Sequence, residues 1–204
     1  MRRSILASTF GSWFGTCIAL QFLTGLFLIL GASEVQVALL SSLPMLGMAL
    51  SFFSTLFIQH LHRRKPYWFW LNTIHRLLWL PIAAVPFFVG YFGSQSVIII
   101  FLGLYFLSSI LGSMASPVWF SWMADLVPKE QAGKFWGRRA AMVSVVNVLG
   151  IPLGWFADRF PPDDPLPYAL LFLLAAVIGQ IDVLIHNRVV EPAPTHSQVP
   201  ESFW

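Results

Sequence analysis

Long apolar stretches alternate with short polar ones along this chain. Three stretches, residues 4–33, 35–59 and 77–124, contain no Asp, Glu, Lys or Arg. Each is longer than the roughly 20 residues that a helix needs to cross a bilayer. Two shorter charge-free stretches, 140–157 and 165–181, lie near the lower limit of about 17 residues. The pattern therefore predicts several membrane-spanning elements.

The spanning elements are expected to be helices. Lipid offers the backbone no hydrogen-bond partners, so each N–H and C=O must pair within its own segment. We predict an all-α integral membrane protein in which residues 1–186 form a bundle of six transmembrane helices. Residues 187–204 are expected to form a polar, proline-containing, disordered cytoplasmic tail. The six predicted helices cover residues 5–31, 35–58, 68–89, 97–123, 140–156 and 167–185.

Composition agrees with a bilayer as the solvent. Apolar residues make up 57% of the chain and charged residues only 10%, against about 25% charged in a soluble domain. The apolar stretch after Arg2 and Arg3 is about twice the usual 7–15 residues of a signal-peptide core, so we interpret it as the first span. The basic residues are not interleaved with aromatic ones on one polar face, which argues against a nucleic-acid partner. Cys17, the single cysteine, is interpreted as an apolar filler.

Lys and Arg residues lie at alternate ends of the predicted spans. Basic residues in short loops are retained on the cytoplasmic side of a membrane, and the opposite side carries only Arg159. The sequence therefore predicts a multi-pass protein of the plasma membrane, the inner membrane of a bacterium, with both termini in the cytoplasm. The basic residues of the predicted cytoplasmic side are Arg2, Arg3, Arg63, Arg64, Lys65, Lys129, Lys134, Arg138, Arg139 and Arg188.

Short motifs between the spans resemble the amino-terminal half of bacterial transporters of the major facilitator superfamily. LGAS at 30–33 followed by LSSLP at 40–44 resembles the junction of the first two spans of that family. ADLVP at 124–128, with Gly133 and GRR at 137–139, resembles the family loop between spans four and five, although Ala132 replaces its usual Arg. The resemblance covers roughly residues 25–159.

Two further loops bear on the same resemblance. The family signature G-x-x-x-D-x-x-G-x-K/R is expected after span two, where this chain matches only at Lys65 and has Leu56 and His60 at the Gly and Asp positions. A partial counterpart, Gly154-x-x-x-Asp158-Arg159, follows span five. The resemblance makes five residues candidates for structural or gating roles: Asp125, Lys65, Arg138, Asp158 and Arg159.

The resemblance implies a half-bundle built from two three-helix repeats, which faces a second six-helix half in the same full-length chain or in another subunit. It implies transport of a small solute by alternating access, with or without a coupling ion, and no cofactor. Spans one and four line the transport cavity in the family, so the lining candidates are Gln21, Thr24, Ser109 and Ser113. The sequence also allows a fragment, a complete half-transporter or a gene remnant.

The third predicted span carries an unusual polar face. Asn72, His75, Arg76 and Trp79 recur at i, i+3, i+4 and i+7, which places them on one side of a helix at membrane depth. A cation there is costly and needs a partner, water or snorkelling. Arg76 is therefore either a structural tie between helices or a substrate-cavity residue. Asp182 is interpreted as an interfacial carboxylate or as a partner of Arg76 or His186.

Two other function classes remain as alternatives. A metal-dependent enzyme would need ligands, and His60 and His62 are the one candidate pair, with no carboxylate in the same turn. Because the sequence also lacks the common catalytic motifs, we expect no enzyme and no metal site. A non-transporting membrane subunit, which binds partners through its cytoplasmic loops and tail, is the second alternative.

Overall fold

The computed structural model describes residues 2–58 and 63–192, and within these ranges the chain forms helices and no strand. Six helical spans are long and apolar enough to cross a membrane, which confirms the predicted number and indicates a multi-pass membrane protein. We number them in chain order from span 1 to span 6. They are Arg3–Ile29, Glu34–Leu56, Arg64–Phe92, Ser94–Leu126, Lys129–Ala157 and Leu166–His186.

Three of the six spans are interrupted. Proline lacks a backbone N–H and disfavours helix in the residue before it, and interruptions in spans 3 and 5 lie at or just before Pro86 and Pro152. The helices of the interrupted spans are Arg2–Cys17 and Leu20–Ile29; Arg64–Leu77, Trp79–Ala84, the 3₁₀ helix Val85–Phe88 and Val89–Phe92; and Lys129–Leu149 and Pro152–Ala157. The continuous helices are Glu34–Ile58, Ser94–Leu126 and Leu166–His186.

Two regions differ from their sequence-based boundaries. The predicted polar loop before residue 140 is helical from Lys129 onward, so span 5 is longer than expected and carries charged residues in its first half. Charge density had suggested a loop, but Lys, Glu, Gln and Ala are good helix formers. The predicted tail begins with residues 187–192, which pack against the bundle, and Val189 is buried.

Packing of the spans brings together helices that are distant in sequence. Span 4 packs against spans 2 and 3, span 1 packs against spans 5 and 6, and span 3 also packs against span 6. Two apolar clusters form at different heights in this bundle. One surrounds Phe27, Trp79 and Phe172, and the other surrounds Trp68 and Trp122. Among the described residues, most of the buried polar side chains lie on spans 3, 4 and 6, namely Arg64, Asn72, Thr73, Ser108, Asp182 and His186.

Candidate functional site

Two adjoining cavities with mixed polar and apolar linings border the two apolar clusters. Their volumes are about 380 Å³ and about 370 Å³. The first, cavity A, is lined by spans 1, 3, 4, 5 and 6, and the second, cavity B, by spans 1 to 4. The residues that line both cavities are Asn72, Arg76, Gly112 and Ser116. A concave site with a largely apolar lining and a few polar groups is the place where a small ligand is expected to bind.

The central feature of cavity A is a charged cluster, the Asp182 cluster, formed by Arg76, Asp182 and His186. Arg76 Nη2 donates to Asp182 Oδ2 at 3.3 Å, and His186 Nδ1 lies 2.8 Å from Asp182 Oδ1. The side chains of Arg76 and Asp182 are only 11% and 7% exposed. The structure therefore makes both pairings that the sequence had left open for Asp182, and it buries the carboxylate within the bundle.

Hydrogen bonds determine the protonation of His186. Trp119 Nε1, which can only donate, lies 3.1 Å from His186 Nε2, so Nε2 is the acceptor. His186 Nδ1 then carries the proton and donates to Asp182. The imidazole is neutral, and Asp182 is left with one full positive partner, Arg76.

The predicted polar face of span 3 is brought to cavity B. Its four residues, Asn72, His75, Arg76 and Trp79, all line this cavity. His75 Nδ1 lies 2.8 Å from Ser108 Oγ, and the Arg76 guanidinium lies over the Phe14 ring at 3.7 Å from its centroid. Cation–π contact of this kind compensates part of the cost of burying a guanidinium.

Three glycines make room for the charged groups. A Cβ atom at Gly11 would lie 2.8 Å from Asp182 Oδ2, and one at Gly179 would lie 2.6 Å from Arg76 Cδ. At Gly112 it would lie 3.1 Å from the His75 ring. Gly11 thus packs against a carboxylate rather than against another helix backbone.

A second guanidinium lines cavity A. Arg139, on span 5, lies 4.7 Å from the Trp119 ring centroid and 5.9 Å from that of Trp136. Among the described residues no carboxylate lies within ion-pair distance of it, and its Nε has no hydrogen-bond partner. Arg139 is ten residues beyond Lys129, or about 15 Å along the helix.

The lining candidates from the sequence fall into two groups. Ser109 and Ser113 line cavity B, and Arg76 lines both cavities. Gln21 is exposed and Thr24 is half-buried, and both lie in the second helix of span 1, away from either cavity lining. The interruption after Cys17 separates them from Ser8 and Ser12, which do line cavity A.

Among the gating candidates, Asp125 and Lys65 take part in a second charged group. We call Arg64, Ser121, Asp125 and Glu191 the Arg64 cluster. Arg64 Nη1 lies 2.7 Å from Asp125 Oδ2 and 2.8 Å from Ser121 Oγ. Glu191 Oε1 accepts the backbone N–H groups of Arg64 and Lys65 at the start of span 3. Lys65 Nζ donates to the Val189 carbonyl, so this cluster ties the segment 187–192 to the bundle.

The other gating candidates lie apart from both clusters. Arg138, Asp158 and Arg159 are exposed, and the structure places none of them in an ion pair within residues 2–58 and 63–192. His60 and His62 lie outside the described residues. In the part of the chain that is described, no group of three metal-ligating side chains comes together.

Sequence reasoning did not select Arg139 and Trp119 as cavity residues. Arg139 had been assigned to a loop because four basic residues occur between 129 and 139. A signal was present, since Phe135, Arg139 and Val143 recur every four residues, as one face of a helix does.

A scan of the chain against protein-family models, a search of curated proteins and a search of solved structures found no match.

Proposed function

We propose that this six-helix bundle is one half of a secondary transporter of the major facilitator type, which moves a small solute across the membrane by alternating access. The solute site is the region of cavities A and B around Arg76. The observation that carries the proposal is a buried charged cluster that borders open polar space inside a bundle of apolar helices. Charged residues placed inside membrane bundles mark solute or ion pathways by default.

The geometry supports a site rather than a purely structural ion pair. A tie between two helices needs no space around it, whereas Arg76 and Asp182 both border a cavity of about 380 Å³. Hydroxyl groups of Ser12 and Ser116 also line this space and add hydrogen-bonding capacity without charge. Such a lining matches the mixture of apolar surface and few polar groups that ligand sites use.

The pairing of the spans supports the two-repeat arrangement. The two repeats would be spans 1 to 3 and spans 4 to 6, so that span 1 is equivalent to span 4, span 2 to span 5 and span 3 to span 6. Under this equivalence, the contact between spans 2 and 4 corresponds to the contact between spans 5 and 1, and both are present. In the same way, the contact of span 3 with span 4 becomes that of span 6 with span 1, and the pair of spans 3 and 6 is unchanged. This is the pattern expected of two three-helix repeats related by a pseudo-twofold axis.

A facing half is part of the proposal. Polar cavity groups exposed to hydrocarbon would be costly, so we place a second six-helix half against this face, in the same protein or in another subunit. In this proposal the Arg64 cluster and both termini lie on the cytoplasmic side, as the alternation of basic residues predicts. Alternating access then consists of rocking of the two halves about the central site.

Solute flux tests the proposal when the cavity is filled by a large side chain. The protein is purified together with its facing half, whether that half belongs to the same protein or to another subunit, and is reconstituted into liposomes, and uptake of labelled amino acids, monosaccharides, monocarboxylates and amines is followed. We expect at least one class to enter with the unmodified protein and to be blocked by Ser116→Trp, because Ser116 lines both cavities. Leu107→Trp is the matched control, since Leu107 is exposed, lines neither cavity and lies nine residues away on the opposite face of the same helix.

Two results would contradict the proposal. Uptake no faster than in protein-free liposomes for every class would favour a non-transporting subunit. Flux that Ser116→Trp and Leu107→Trp reduce equally would place the pathway outside these cavities.

A further inference from the structure

We propose that Arg139 is the anion-binding residue of cavity A and that the cavity takes a small organic monoanion, such as a carboxylate with an apolar body. This inference names the solute class for the proposed transport function and rests on that function for its physiological meaning. The binding itself can be measured without any transport step.

Charge balance in cavity A leads to this inference. The ionised residues that line it are Arg76, Arg139 and Asp182. Since His186 is neutral, two positive charges face one negative charge, and one positive charge remains. Asp182 is already occupied, because its two oxygens are bonded to Arg76 and His186. Within the described chain, the excess charge belongs to Arg139, and a bound anion would neutralise it.

The position of Arg139 is suited to a ligand. The carbon of its guanidinium lies over the rings of Trp119 and Trp136, at 4.7 Å and 5.9 Å from their centroids, and contacts with two rings restrict where the group can move. Trp119 is itself anchored by its hydrogen bond to His186. Arg139 is thus fixed from behind through Trp119, and a guanidinium with a fixed orientation matches the two oxygens of a carboxylate.

The rest of the lining favours an organic over an inorganic anion. Trp68, Trp119, Phe120, Ala115 and Val143 supply apolar surface in the same cavity. Chloride or phosphate would leave this surface in contact with water, whereas an aromatic or alkyl body would cover it. The single excess charge matches a monoanion better than a dianion, whose second charge would face Asp182.

Equilibrium binding of labelled benzoate to the purified full chain in detergent tests the inference. Unlabelled benzamide, benzylammonium and chloride serve as competitors, because the first two keep the ring and replace the anionic head group by a neutral and a cationic one. We expect saturable binding of benzoate that benzamide and benzylammonium displace poorly. Arg139→Gln is expected to weaken it at least about tenfold, equal to about 1.4 kcal/mol, since bonds to ionised groups are roughly twice as strong as neutral ones. Arg139→Lys should retain part of the affinity.

Arg138→Gln is the matched control. It removes the same charge from the neighbouring position of the same helix, but Arg138 is exposed and does not line the cavity. Equal weakening by Arg138→Gln and Arg139→Gln would overturn the inference, as would displacement by benzamide or chloride as effective as by benzoate, or no saturable binding. If benzoate binds as expected while the flux assay fails, the anion site stands and the transport proposal fails. If flux is found but Arg139→Gln leaves benzoate binding unchanged, the transport proposal stands and the anion-site inference fails.

Discussion

Replacement of Asp182 by Asn is expected to destabilise the bundle by about 3–5 kcal/mol, the range for breaking a buried ion pair. The amide has nearly the shape of the carboxylate but no charge. Arg76, with a side chain only 11% exposed, would then lose its ion-pair partner, and His186 would lose its charged acceptor. Equilibrium unfolding in mixed detergent micelles measures the effect.

A double substitution separates charge pairing from shape. Arg76→Gln with Asp182→Asn should recover most of the lost stability, because the cost comes from an uncompensated buried charge and not from the lost pair itself. Asp163→Asn, an exposed carboxylate in the turn before span 6, should change stability by no more than about 0.5 kcal/mol. Full stability of Asp182→Asn alone would show that Arg76 is neutralised by something other than Asp182.

Replacement of Arg64 by Gln is expected to cost about 3 kcal/mol and to release the segment 187–192 from the bundle. The Arg64 side chain is 4% exposed and pairs with Asp125, whose side chain is 19% exposed. Without the guanidinium, the carboxylates of Asp125 and Glu191 both lose their shared positive partner. Unfolding in detergent measures the loss of stability, and limited proteolysis after residue 186 measures the release.

Arg63→Gln controls for the loss of one basic residue in the same turn. Arg63 is exposed, and the structure gives it no ion pair with a described residue. We expect its stability and its proteolysis pattern to match those of the unmodified protein. Indistinguishable behaviour of Arg63→Gln and Arg64→Gln would mean that the Arg64 cluster contributes no stability.

Membrane architecture could be predicted from the sequence because its signals are local. A long apolar run specifies a spanning helix by itself, and within the described residues six helices are long and apolar enough to span a membrane. The polar face of span 3 was also predictable, since the positions of Asn72, His75 and Arg76 follow from helical periodicity alone. The start of span 5 was missed because charge density and helix propensity disagree between residues 129 and 139.

The composition of the site could not be predicted from single segments. The pairing of Arg76 with Asp182 depends on how spans 3 and 6 rotate and shift against each other across a sequence separation of 106 positions. Likewise, Gln21 and Ser12 are both polar positions of span 1, and only the interruption after Cys17 separates the cavity side from the rest. Which side chains pair and which line a cavity is decided by the packing of helices that are distant in sequence.

Two-sided accessibility of Ser116 tests the central claim, that cavities A and B form a solute pathway. Cys17, the single native cysteine, is first replaced by Ser. Ser116→Cys and Leu107→Cys are then exposed to a membrane-impermeant thiol reagent from either side of oriented vesicles. A cavity with alternating access predicts that Cys at 116 reacts from each side and that Cys at 107, which faces lipid, reacts from neither. Reaction at 116 from one side only, or from neither side, would contradict the account.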